Sequence, residues 1–146
     1  MTDSDTQTRG VMAAAISDGL VHLHKQYYGK GPTKAKTYLV NDTVICLLRG
    51  GFTIVEKTLI DEGRAEAVHD IRRSFQGAME ERFKQVVEEA TGRKTSAYMS
   101  QIHSNPDVAL EVFILEPGSY PLLDQHEVEL DGSQISMDGN HAHGLL

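Results

Sequence analysis

The chain has 146 residues, 14 basic and 21 acidic side chains for a formal charge of −7, one cysteine and 40% hydrophobic residues. One domain of this size hides roughly 70% of the surface of its unfolded chain, and a lone Cys46 excludes an internal disulfide framework and fits a reducing compartment. The longest apolar runs, Val11–Ile16 and Val44–Leu48, fall far short of the roughly 20 residues of a membrane helix, and the acidic Met1–Asp5 carries no secretory pattern, so a soluble, cytoplasmic protein without direct membrane insertion is expected.

The charge is unevenly placed. Residues 1–106 hold 14 basic and 13 acidic groups, a net of +1, whereas the last forty hold eight acids and no Lys or Arg.

In chain order, residues 1–9 are polar and are expected to fray. Met12, Ile16, Leu20, Leu23 and Tyr27 recur every three to four positions and predict an amphipathic helix. Gly29 is placed to end it in a left-handed turn, and Gly31-Pro32 prevents its resumption. Ala35–Val40 and Thr43–Arg49 flank Asn41-Asp42 and predict a tight hairpin pairing Leu39 with Val44, Thr37 with Cys46 and Ala35 with Leu48. Tyr38, Val40, Ile45 and Leu47 then fall on the opposite face, so both faces are apolar and both need cover. A helical layer covers one; a second subunit or the tail is expected over the other.

Thr53, with Glu56 three residues on, predicts a capping box for a short helix ended by Gly63. From Arg64 a long helix runs to Gly92, with Val68, Ile71, Phe75, Ala78, Met79, Val86 and Ala90 as its apolar stripe. At 1.5 Å per residue it spans about 40 Å, more than a small sheet covers, which again points to a partner chain. Thr95–Ile102 and Val108–Leu115 form a second hairpin around Ser104-Asn105-Pro106-Asp107. The order α-β-β-α-α-β-β predicts an α+β two-layer sandwich, an antiparallel sheet of two hairpins with helices on one face. From Pro117 the acid-rich residues 117–146 read as a C-terminal extension, either a short hairpin or disordered.

Several clusters bear on chemistry. The loop Gly29–Lys36 brings Lys30, Thr33, Lys34 and Lys36 together with glycine-rich backbone that suits an anion such as phosphate or bicarbonate. It follows a helix C-terminus, however, where the dipole disfavours an anion, and the plainer reading is a helix stop with lysines offsetting that dipole. His69, Asp70, Arg72 and Arg73 read as a solvated, salt-bridged helix face, or else as a base with an arginine clamp. His103, Asp107 and Glu111 surround a tight turn and suit holding a metal or moving a proton; the plainer reading is that Asn105 and Asp107 are turn formers and Glu111 pairs with a lysine of the neighbouring strand. Cys46 reads as a buried structural thiol. His22 and His24 point to different helix faces, and His126, His141 and His143 belong to the tail, so no metal site is expected. Lys25, Lys30, Lys34 and Lys36 with Tyr27 and Tyr28 make too narrow a basic face for a nucleic-acid partner.

Gly29-Lys30-Gly31-Pro32-Thr33-Lys34-Ala35, Glu56-Lys57-Thr58-Leu59 with Gly63, Arg72-Arg73-Ser74-Phe75, Thr91-Gly92-Arg93, and His103, Pro106-Asp107 and Glu111-Val112-Phe113-Ile114-Leu115 follow one another in an order that resembles the MpsC-like family. Its members are named for a Na+-translocating, membrane-potential-generating system. The resemblance covers about residues 8–116 and leaves the extension outside, so the domain is placed at 1–116. It implies a soluble component beside a membrane transporter pair linked to cation and inorganic-carbon uptake, with no catalytic residue and no cofactor to carry over. The reading is a non-enzymatic accessory or regulatory protein acting through protein–protein contacts, as a homodimer. The alternative is a small-molecule or anion-binding domain, enzymatic or not, using Lys30, Thr33, Lys34, Arg72 and His103. A third reading gives the acidic extension a basic protein partner.

Overall fold

The first helix begins before its apolar pattern does. In the computed structural model, which describes residues 3–118, α1 spans Asp3–Tyr28, so the polar N-terminal residues from Asp3 onward are helical rather than frayed. Gly29 stops α1 with φ at 93°. The hairpin β1 (Lys34–Val40) and β2 (Thr43–Arg49) follows with the expected register, Leu39 opposite Val44, Thr37 opposite Cys46 and Ala35 opposite Leu48. Next come α2 (Ile54–Asp61), α3 (Ala65–Thr91), β3 (Thr95–His103) and β4 (Val108–Leu115). Gly92, with φ at 70°, caps α3 by donating its backbone N–H to the Glu88 carbonyl.

The four strands form one antiparallel sheet in the order β1-β2-β4-β3, so each hairpin keeps one strand at an edge and sends the other inward. α1 and α3 lie together on one face. Gly19 lets them approach closely, since a Cβ there would meet Val86 Cγ1 at 2.6 Å. Between helices and sheet lies the main core of Ile16, Leu20, Leu39, Val44, Leu48, Met79, Phe83, Val87, Phe113 and Leu115, with Cys46 buried among them. A second, smaller core joins Phe52, Val68 and Ile102.

The buried stripe of α3 differs from its apolar reading. Val68, Arg72, Gln76, Met79, Phe83 and Val87 face inward, while Ile71 is 56% exposed. Two polar residues occupy core-facing turns, so a count of apolar positions is drawn to the neighbouring ridge and misses Phe83. The acidic extension lies, from residue 119 on, outside the described residues.

Candidate functional site

Three polar or exposed features stand out against this core, and the first is built by the capping box of α2. Thr53 Oγ1 accepts from the Glu56 backbone N–H at 3.2 Å, and Glu56 Oε1 accepts from the Thr53 N–H at 2.9 Å. The same carboxylate receives Arg72 from α3: Nε donates to Oε2 and Nη2 to Oε1, both at 2.7 Å, in a bidentate pair buried on both sides. Tyr28 at the end of α1 donates its hydroxyl to Oε2 as well. The Arg72 guanidinium lies 4.0 Å over the Tyr28 ring and 5.3 Å from that of Phe52. Arg72 therefore stands on no solvated face; the exposed pair is its neighbour Arg73 with Asp70.

This pair also pins the connector between β2 and α2. Arg72 Nη2 donates to the Gly51 carbonyl at 2.8 Å, Lys30 Nζ donates to the Phe52 carbonyl at 2.9 Å, and the Phe52 N–H donates to Asp107 Oδ2 at 3.0 Å. Burial pushes the Glu56 carboxyl up, but the hydrogen bonds from Arg72, Tyr28 and the Thr53 backbone outweigh it and hold the group below the usual carboxylate range. Burial, followed by the hydrogen bond to Glu56, pushes the Tyr28 hydroxyl up to about 12. Pro32 of the lysine loop, Asp107 of the second turn and Arg72 line a common cavity, but its volume is about 10 Å3, enough for one water at most.

The second feature lies under α3 in the middle of the sheet. Glu111, on the inner strand β4, is fully buried, and Tyr98 on β3 donates its hydroxyl to Oε2 at 2.5 Å. No lysine reaches it, contrary to the pairing expected from sequence. Glu111 Oε1 and Ser100 Oγ, on residues that face each other across β3 and β4, are both buried without a hydrogen-bond partner among the described residues. Burial pushes the carboxyl up to about 7, against the pull of the Tyr98 and Ser100 hydroxyls and the Arg72 charge. Cys46, opposite Glu111 on β2, is pushed up to about 11, first by burial and also by that carboxyl. His24 on α1 stacks on Phe83 and binds the Leu20 carbonyl at 2.8 Å; burial is the main cause that lowers its pKa.

The third feature is the sheet face turned away from the helices. Register sets its rows across β1, β2, β4 and β3: Lys34, Arg49, Val108, His103; then Lys36, Leu47, Leu110, Gln101; then Tyr38, Ile45, Val112, Met99; then Val40, Thr43, Ile114, Ala97. Tyr38 is 40% and Met99 54% exposed, and the aliphatic side chains between them are half-buried. Cations gather at one end, where Thr33, Lys34, Lys36, Tyr38, Leu47 and Arg49 line an open groove of about 560 Å3.

The five residues singled out from sequence are thus divided. Thr33 and Lys34 share the open groove, and His103 stands in the same row as Lys34 with two strands between them. Thr33 donates its hydroxyl to the Arg49 carbonyl at 3.2 Å. Lys30 and Arg72 are turned toward the connector. Lys36, named with Thr33 and Lys34 in the anion-suited loop, lies in the same groove, and Arg49 joins it with no sequence signal of its own. Glu56 and Glu111 were missed as buried groups, although Glu111 is the one acid in the apolar run Val108–Leu115.

With this geometry in view, the sequence can be set beside known proteins. A family model described as "Na+-translocating membrane potential-generating system (MpsC)" matches residues 8–117. The chain belongs to the MpsC family. Two Bacillus subtilis (strain 168) proteins are similar to it. Uncharacterized protein YbcI is 25% identical over 112 residues, covering 75% of this chain and 89% of YbcI. Uncharacterized protein YrhF is 29% identical over 104 residues, covering 69% of this chain and 84% of YrhF. No solved structure matches. The MpsC match takes in all three features, from α1 through β4.

Proposed function

We propose that this MpsC-family chain is a non-enzymatic accessory protein of a membrane cation or inorganic-carbon transport system, working as a homodimer that forms through the open face of its sheet. The observation that carries this reading is that face: two inner rows rich in Leu, Ile, Val, Tyr and Met with no described element across them. A contiguous apolar surface of this kind marks a contact site, and two such sheets pack face to face about 10 Å apart. A second copy fits because a two-fold axis parallel to the rows sets each basic row over the Val40 to Ala97 row of the other copy, keeping like charges apart. The family description supplies the transport context. Among the described residues no helix is long and apolar enough to cross a membrane, which fits a component that joins a transporter by contact.

Light scattering on the purified full chain tests the dimer. A mass of twice 16.1 kDa is expected, falling to a single chain in Leu47→Asp and Val112→Asp with helix content retained; a monomer at micromolar concentration rejects it. The transport role is tested in the source cell, where a gene deletion lowers cation or bicarbonate uptake under limiting supply and the Leu47→Asp chain fails to restore it. Unchanged uptake on deletion rejects the role.

The open groove favours a second reading, anion binding at Thr33, Lys34, Lys36 and Arg49. Calorimetry with phosphate and bicarbonate decides it: heat of binding that Lys34→Glu abolishes supports an anion site, and none with the native chain removes it.

A further inference from the structure

The accessory role makes no use of the carboxyl at the centre of the sheet. We propose that Glu111 is a proton-binding site, held as the neutral acid in the folded core and giving up its proton to solvent as the medium passes from mildly acidic to mildly alkaline. Glu111 is 0% exposed, on an inner strand, with Phe113 beside it on the same face. An ionised carboxylate taken out of water needs a cation or several donors. Glu111 receives one hydrogen bond among the described residues, from the Tyr98 hydroxyl to Oε2.

Every element packed around it tells the same way. β2 presents Cys46, a neutral thiol, and β3 presents Tyr98 and Ser100. From α3 the Arg72 charge is felt, but that guanidinium is bound in bidentate fashion to Glu56. Glu80 on the same helix acts on Tyr98 with negative charge. α1 contributes His24, which burial disfavours as a cation. A proton is the one positive charge left for the site to take up. Glu111 Oε1 is buried without a hydrogen-bond partner among the described residues, so an ionised carboxylate would leave that oxygen without a donor.

A resting carboxyl of this kind differs from Glu56, whose ionised form is fully provided for. The site is a change of charge within the core of a four-stranded sheet whose other face carries Leu110 and Val112. Its proof does not depend on that face: a monomeric chain with a titrating Glu111 rejects the dimer and keeps the proton site, and the reverse result does the opposite.

The experiment is a carbon-13 NMR titration of side-chain carboxyls in the full folded chain, with Glu111 assigned by through-bond correlation so that no variant is needed for its identity. The expected result is a Glu111 midpoint near neutral pH. Tyr98→Phe, which removes the hydroxyl bonded to Oε2, moves that midpoint higher, whereas a distant tyrosine variant, Tyr38→Phe, leaves it in place. A Glu111 resonance that titrates with the surface carboxylates, or one that stays fixed from mildly acidic to mildly alkaline conditions, overturns the proposal.

Discussion

Glu56 and Glu111 are the same residue at similar depth, 4% and 0% exposed, and their surroundings drive them in opposite directions. Glu56 meets a bidentate arginine, a tyrosine hydroxyl and a helix N-terminus, while Glu111 meets one tyrosine hydroxyl. Depth alone therefore does not set the charge of a buried acid. The number of donors that folding delivers decides it, since each donor offsets part of the loss of water.

Removing Arg72 tests that contrast most severely. Arg72→Met leaves Glu56 charged and buried, and is expected to cost about 3–5 kcal/mol in urea unfolding; a loss under about 1 kcal/mol would mean the clasp is not what steadies α2. Glu111→Gln should act the other way above neutral pH. Its folded pKa of about 7 lies above the unfolded value of 4.5. The cost of Glu111 is therefore absent below about pH 4.5, grows between the two values and is complete above about 7. Stability of the variant relative to the native chain should rise over that interval by on the order of 3 kcal/mol, read as diverging urea midpoints. Glu56 has the opposite sign: its folded pKa is lowered from 4.5, so its contribution is present above that value and is lost as pH falls through the folded one. Acid unfolding that Arg72→Met makes less steep would confirm it.

Smaller effects sharpen the same point. Thr53→Ala removes one half of the capping box and should cost about 1 kcal/mol, seen as a lowered melting temperature. Asp70→Asn breaks the exposed pair with Arg73, whose side chains are 67% and 72% accessible, and should change stability by less than about 0.5 kcal/mol.

What the sequence disclosed follows the range of each signal. Both hairpins, the β1–β2 register, the capping box and the stop at Gly29 are written in neighbouring residues, and they stand as read. The clasp brings residue 72 to residues 28, 51 and 56, and nothing in a local pattern links those positions. Arg72 and Gln76 replace apolar residues on the buried ridge of α3, so periodicity favours the wrong ridge and passes over Phe83. Glu111 left a trace, one acid at an inward position of a strand apolar on both faces, yet an acid near lysines and a turn is more simply read as solvated. A second apolar face was legible because alternation in β1 and β2 leaves two apolar sides and the helices cover one; the cover expected for the other lies outside the described residues.

The chain has no tryptophan and five tyrosines, and two of these, Tyr28 and Tyr98, donate to the two carboxyls buried among the described residues. A phenol bonded to a carboxylate loses emission by excited-state proton transfer, and one bonded to a neutral acid does so far less. Each acid thus carries its own optical reporter, uncontaminated by indole light. Ultraviolet emission from the unmodified protein changes when either acid changes charge, and the two steps fall on opposite sides of the usual carboxylate range, with no label and no substitution in the core.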